Sequence, residues 1–281
     1  MTEHLVLNDG TTLPEIGFGT YPLRGDEGYR AVRSALDAGY RLIDSAVNYG
    51  NEEEVGRAIR DWLRDTGTDR DDVVVQTKLP GRHHGFEAAL ASGRESAATM
   101  GLDRIDVLLI HWPNPSVDKY REAWRALVEL REHGLVRTVG TSNFTAQHLA
   151  AIIDDTGVTP AINQIELHPY FPQQDMRDEH ARLGIVTQAW SPLGKASAPY
   201  EEPAVLDAAK RHGVTPAQVI LRWHRELRSV PLPKSARPER QAENLNIFGF
   251  ELSEDEVAAI SALGREDGRL FGGDPNVHEE M

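Results

Sequence analysis

Short apolar runs alternate with longer amphipathic stretches along most of this chain. Eight runs, at 16–20, 41–46, 73–78, 105–112, 136–142, 161–167, 185–193 and 229–235, are rich in Val, Ile or Leu. They are too short for helices, so each predicts a strand. Stretches with helical spacing lie between them. In 28–38, Val32, Ala35 and Leu36 share one face, and Gly39 ends the pattern. Asn51 reads as an N-cap, with Glu54 completing a capping box ahead of Val55, Ile59 and Trp62. In 118–133, Tyr120, Trp124, Leu127 and Val128 face inward before Gly134. Further helices are predicted at 85–100, 145–155, 173–183, 202–212, 215–226 and 237–246, with a surplus one at 253–263.

Strand starts recur roughly every 25–32 residues, with a longer gap before the eighth. Alternating β and α units predict a parallel sheet, and eight of them predict closure into a (β/α)8 TIM barrel. Leu5-Val6-Leu7, a turn at Asn8-Asp9-Gly10, and Thr11 to Leu13 predict an N-terminal β-hairpin over the closed end. The surplus helix and a tail follow the last unit. No linker or low-complexity segment interrupts the alternation, so residues 1–281 read as one barrel domain. A doubly wound open sheet is the alternative. With a nucleotide, it would want G-x-G-x-x-G after its first strand, whereas Gly17-Phe18-Gly19 is followed by Thr20, Tyr21 and Pro22.

Composition narrows the chemistry. The absence of cysteine excludes disulfides, thiolate zinc sites, iron–sulfur clusters and a cysteine nucleophile. A net charge of −14 argues against a nucleic-acid partner. Runs such as 107–110 are far too short to span a bilayer, so no membrane partner and a cytoplasmic location are expected. No apolar surface stripe stands out, which predicts a monomer. His83-His84 has no acidic ligands in metal spacing, so no metal site is expected. Five lysines stand against 25 arginines, so a lysine at a strand end invites a question.

Barrel chemistry sits at the C-terminal ends of strands. There the sequence places Asp44, with Tyr49 just beyond, and then Lys78 and His111. These four form a plausible proton-transfer set. A nearby ammonium favours phenolate and brings a tyrosine down from its ordinary pKa of about 10. Asp44 would hold Lys78 charged, His111 would orient a carbonyl, and Tyr49 would protonate its oxygen. The alternative is a structural Lys–Asp pair with a packed tyrosine. Lys234, Arg237 and Arg240 put three cations into seven residues at a strand end leading into a helix, which suits a phosphate. Ser142, Asn143 and Gln164 suit a carboxamide, and Trp190 a flat ring. Glu166 and His168 read as structural.

At these residues the chain resembles the aldo-keto reductases. The resemblance rests on Asp44-Ser45-Ala46-Val47-Asn48-Tyr49-Gly50-Asn51-Glu52, on Gln164-Ile165-Glu166-Leu167-His168-Pro169, and on Pro233-Lys234-Ser235 with Arg240 and Glu243-Asn244. Gly140-Thr141-Ser142-Asn143-Phe144 and Ser191-Pro192-Leu193-Gly194 match in order and spacing. Leu7-Asn8-Asp9-Gly10, Thr215-Pro216-Ala217-Gln218 and Trp190 are similar to the branch of bacterial 2,5-diketo-D-gluconic acid reductases. The resemblance implies a barrel that takes NADPH extended across its mouth and reduces a small-molecule carbonyl substrate: an aldehyde, a ketone, or a dicarbonyl resembling diketogluconate or methylglyoxal. It implies Tyr49 as proton donor, tuned by Lys78 and Asp44, with His111 orienting the carbonyl. It implies Ser142, Asn143 and Gln164 at the carboxamide, Trp190 on the nicotinamide, and Ser191, Leu193 and Gly194 along the cofactor. Lys234, Ser235 and Arg240 would take the 2′-phosphate, with Arg237, Glu243 and Asn244 beside adenine. Tyr21, Val47, Asn48 and Trp112 remain as substrate-pocket candidates, and the tail would close that side. Many relatives carry Trp where Pro80 follows Leu79 here, which removes an aromatic wall. A catalytically weak NADPH-binding regulatory protein on the same barrel is the alternative function.

Overall fold

The computed structural model describes residues 4–195 and 199–281. It begins with an antiparallel hairpin, β1 (His4–Val6) and β2 (Thr12–Pro14), in which Leu5 faces Leu13. Eight parallel strands follow: β3 (Phe18–Gly19), β4 (Leu42–Asp44), β5 (Val74–Leu79), β6 (Ile105–Ile110), β7 (Val136–Ser142), β8 (Ile162–Glu166), β9 (Val186–Trp190) and β10 (Ser229–Pro231). Each pairs with the next in chain order. The ring closes between β10 and the segment of β3, where Gly17 N donates to Pro231 O at 3.0 Å and Gly19 N to Pro233 O at 3.1 Å. Glycine is needed at this seam. A Cβ at Gly17 would lie 2.5 Å from Leu232 Cδ2, and one at Gly19 would lie 2.9 Å from Leu232 O.

The helices are α1 (Gly25–Ala38), α2 (Glu52–Thr66), α3 (Phe86–Met100), α4 (Tyr120–Glu132), α5 (Ala146–Thr156), α6 (Gln174–Leu183), α7 (Pro203–His212), α8 (Pro216–Glu226), α9 (Pro238–Leu245) and α10 (Glu254–Ser261). Both α7 and α8 lie between β9 and β10, which accounts for the long eighth interval. The strands are buried by helices outside and by their own side chains within, which is why they read as apolar runs. On the outside, Trp124, Leu127 and Leu130 of α4 pack with Leu108, Ile110 and Val139. Inside, Leu42, Val107, Leu109, Ile162 and Val230 meet Leu7 and Leu13 of the hairpin. Burying each such side chain stabilises the fold by about 1.5–3 kcal/mol. Asn8 Nδ2 donates to Pro160 O at 3.0 Å, and Thr11 Oγ1 lies 2.9 Å from Thr138 Oγ1, fixing the hairpin as a plug in the barrel's lower end.

Some local expectations change. Helix α1 starts at Gly25 rather than residue 28, and most strands are shorter than their apolar runs, although β7 fills its run and β5 passes the end of its own by one residue. The capping box at Asn51 is absent: Asn51 precedes α2 but makes no side-chain cap bond. Its amide instead donates to Thr20 Oγ1 at 3.1 Å and Leu23 O at 2.8 Å, while Ser45 Oγ donates to its Oδ1 at 2.6 Å. Glu54 accepts from Gly25 N at 3.1 Å. Asn51 therefore ties the loops above β3 and β4 together, a tertiary demand that outweighs a local cap. Capping boxes do form at Thr145, Thr215 and Ser253. Among the described residues, no helix is long and apolar enough to cross a membrane.

Candidate active site

A cavity of about 860 Å³ opens at the C-terminal ends of the strands. It lies within the range of small-molecule sites. Asp44 ends β4, Lys78 lies near the end of β5, and His111 directly follows β6. Tyr49 closes a short 3-10 turn, 47–49, held from behind by Arg24 Nε donating to Tyr49 O at 2.6 Å. These positions bring the four groups together. Lys78 is fully buried, and its Nζ donates to Asp44 Oδ1 at 2.7 Å, Asp44 Oδ2 at 2.8 Å, Ser45 O at 2.9 Å and the Tyr49 hydroxyl at 3.2 Å. The Tyr49 and His111 rings stand edge to face with centroids 5.7 Å apart.

An amide layer beneath this set was not anticipated from the sequence. Gln76 Nε2 donates to Asp44 Oδ1 at 2.6 Å and to Gln188 Oε1 at 2.9 Å, while Gln188 Nε2 returns a bond to Gln76 Oε1 at 3.0 Å. Gln164 donates to the same Asp44 oxygen at 3.2 Å and to Gln188 at 3.0 Å. A buried carboxylate is tolerated only with its lone pairs filled, and here an ammonium and two amides fill them. The signal was readable: Gln76 is two residues from Lys78 and so points to the same face of β5.

Electrostatics assigns roles. Burial would push the Lys78 ammonium down, but Asp44 and Tyr49 reverse this and hold its pKa above the ordinary value. Tyr49 moves opposite to the expectation from its lysine neighbour. Burial raises its pKa above 10.0, assisted by the Asp44 and Glu280 charges and only opposed by Lys78. The phenol therefore keeps its proton at neutral pH, as an acid must. Burial holds His111 below 6.5, despite the opposing influence of Glu280, so the imidazole is neutral.

Ser142, Asn143 and Trp190 meet at one side of the mouth. Ser142 Oγ donates to Gln164 O at 2.8 Å; Asn143 Nδ2 donates to His111 O and to Ser142 Oγ, both at 3.0 Å; Trp190 Nε1 donates to Asn143 Oδ1 at 2.8 Å. Asn143 and Ser191 hold positive φ angles of 61° and 49°, so backbone strain gathers at the mouth. Asn143, Gln164, Trp190, Ser191, Leu193 and Lys234 line the cavity. Ser142 is buried behind it; Gly194 follows Leu193 and is also buried.

Beyond Lys234 the surface turns cationic. Lys234, Arg237 and Arg240 are exposed and make no ion pair among the described residues. Ser235 Oγ accepts from Arg237 N at 3.0 Å, shaping the turn into α9, whose first residue is Pro238. Glu243 accepts from Thr215 Oγ1 at 2.9 Å, and Asn244 is buried beside it. Tyr200, another cavity residue missed by the sequence reading, feels the charges of Arg240 and Glu243 and so joins the cavity to this arm. Of the substrate candidates, Tyr21, Asn48 and Trp112 line the cavity, whereas Val47 does not. Glu166 and His168 are buried and meet at 3.0 Å.

Residues 15–265 match the family model described as "Aldo/keto reductase family". The 2,5-diketo-D-gluconic acid reductase B of Corynebacterium sp. (strain SHS752001) is 54% identical over 98% of this chain and 97% of its own. The crystal structure of a Gox0644 variant in complex with NADPH superposes with a TM-score of 0.93 at 40% identity, covering 99% of each chain. That of the Bombyx mori aldo-keto reductase in complex with NADP superposes with a TM-score of 0.88 at 32% identity, covering 94% of this chain and 93% of that one.

Proposed function

The chain belongs to the aldo/keto reductase family and is an oxidoreductase, and on that premise we propose that it reduces aldehydes, ketones or dicarbonyls with NADPH, Tyr49 giving the proton. The observation that carries this reading is the Tyr49 hydroxyl held 3.2 Å from a fully buried ammonium. A bound nicotinamide supplies hydride to the carbonyl carbon. The chain supplies the rest. His111, neutral and at the cavity wall, orients the carbonyl oxygen by a hydrogen bond. Tyr49 donates its proton to that oxygen. The phenolate left behind lies against Lys78, so the ammonium stabilises charge that appears only as reaction proceeds. Asp44, anchored by Gln76 and Gln164, keeps that ammonium in place.

The cofactor reading is supported by the residues themselves. Three exposed cations without carboxylate partners among the described residues, in a chain of net charge −14, fit the 2′-phosphate of NADPH. Lys234, Ser235 and Arg240 are assigned to it, with Arg237, Glu243 and Asn244 at adenine, Ser142, Asn143 and Gln164 at the carboxamide, Trp190 at the ring, and Ser191, Leu193 and Gly194 along the way. Diketo sugar acids fit the similarity to a diketogluconate reductase.

The test is NADPH consumption by the purified protein with 2,5-diketo-D-gluconate, methylglyoxal and 4-nitrobenzaldehyde. Turnover with at least one is the expected result. Tight NADPH binding without turnover on any would replace this reading with a regulatory one.

A further inference from the structure

The last residues of the chain fold back into the reaction cavity. Trp112 packs on His278 with ring centroids 4.1 Å apart, and Ser116 N donates to Glu279 Oε1 at 2.7 Å. Asn114 Nδ2 donates to Glu280 O at 2.5 Å, and Asn48 Nδ2 donates to Met281 O at 3.0 Å. Backbone room for this comes from Gly81, where a Cβ would lie 2.3 Å from Glu280 O. The clamp delivers the Glu280 carboxylate into the cavity wall. One oxygen, Oε1, accepts from Asn48 and lies 3.0 Å from His111 Nδ1. The other, Oε2, is buried without a hydrogen-bond partner, and so is His111 Nδ1 itself.

This is an unusual place for a chain's own carboxylate. It holds the imidazole that the proposed reaction needs for the substrate oxygen. An unpartnered buried carboxylate oxygen is costly, so the docked state is readily exchanged for a ligand that leaves no such orphan. We propose that Glu280 is a specificity-determining residue: it stands in the cavity wall against the Nδ1 edge of His111, and its charge disfavours anionic carbonyl compounds beside that ring. The anion penalty follows from the clamp. Asn114 and Ser116 hold the tail by backbone and by Glu279, so the Glu280 charge stays at the mouth.

The inference rests on the reductase reading for its kinetic test and is independent of it for its structural one. The kinetic test compares 4-nitrobenzaldehyde with 4-carboxybenzaldehyde, which differ in charge at similar size. Removal of residues 280 and 281 should raise kcat/KM for the carboxylated aldehyde about three- to ten-fold more than for the neutral one, with the gain falling on KM. Glu280→Gln, which keeps the shape, should favour the carboxylated aldehyde more than the neutral one. Equal changes for the two aldehydes, or a KM that rises, would overturn the proposal. The structural test is an NMR titration of His111 in the cofactor-free protein. Tyr49, Lys78, Asp44 and Glu280 are the charged and titratable groups that bear on this ring. Loss of the Glu280 charge should lower the His111 midpoint further. An unmoved midpoint in both variants would show that the carboxylate does not sit there, whether or not the protein reduces either aldehyde.

Discussion

Lys78 and Lys234 both stand at barrel strand ends, in opposite surroundings. Lys78 is buried and gives hydrogen bonds to four oxygens, none farther than 3.2 Å. Lys234 is exposed, with Arg237 and Arg240 near it in sequence, and none of the three has an ion-pair partner among the described residues. The first is a charge the protein has committed internally, to tune a neighbour. The second is a charge left uncommitted, available to an anion from outside. The contrast teaches that, on the proposed function, this mouth divides into a floor that moves protons and an arm that holds a ligand. Disturbing the floor should cost turnover and stability, and disturbing the arm should cost affinity.

The sharpest way to break that contrast is Tyr49→Phe. Loss of the general acid should lower kcat by about 10²–10⁴-fold with NADPH affinity kept, measured by turnover and by fluorescence titration of the cofactor. Lys78→Met comes next. It leaves Asp44 buried and unpaired, so thermal unfolding should show a loss of about 3–5 kcal/mol along with activity. On the arm, Lys234→Ala combined with Arg240→Ala removes two charge-assisted contacts and should weaken NADPH by at least about 100-fold. NADH should be nearly unaffected, and unfolding should not move; equal losses for both nucleotides would erase the distinction. Gln76→Leu should cost about 1.5–3 kcal/mol, the range for a hydrogen bond to a charged group, and lower kcat more than it changes the KM for NADPH.

Acidity gives a subtler test. Burial lowers the His111 midpoint below 6.5 and raises that of Tyr49 above 10.0. Both midpoints lie outside those limits, so kcat for reduction should stay flat from about pH 7.5 to about pH 9. A fall within that window would mean that the Lys78 charge wins over burial at Tyr49.

Legibility in the sequence followed the same divide. The barrel was readable because strands buried on both faces must be apolar runs, and because β10 comes late only by the insertion of a second helix, α8. Asp44, Lys78 and His111 were readable as polar residues ending such runs. Gln76 and Gln188 are inconspicuous inside apolar strands, although their spacing from Lys78 and Trp190 places them on the same faces. The cap reading fails at Asn51 because a cap is a local pattern, whereas its bonds to Thr20 and Leu23 are set by tertiary packing. Glu280 gave no signal at all: a tail's docking site depends on surfaces more than 160 residues away in sequence, as the Asn114 and Ser116 contacts show.

The central claim is that hydride from NADPH reaches a carbonyl carbon in this cavity. It is tested most directly with NADPH carrying deuterium at both C4 positions of the nicotinamide and 4-nitrobenzaldehyde as acceptor. Mass spectrometry of the alcohol should find one deuterium on the new carbinol carbon. An alcohol formed without that label, or label appearing only in water, would contradict the account.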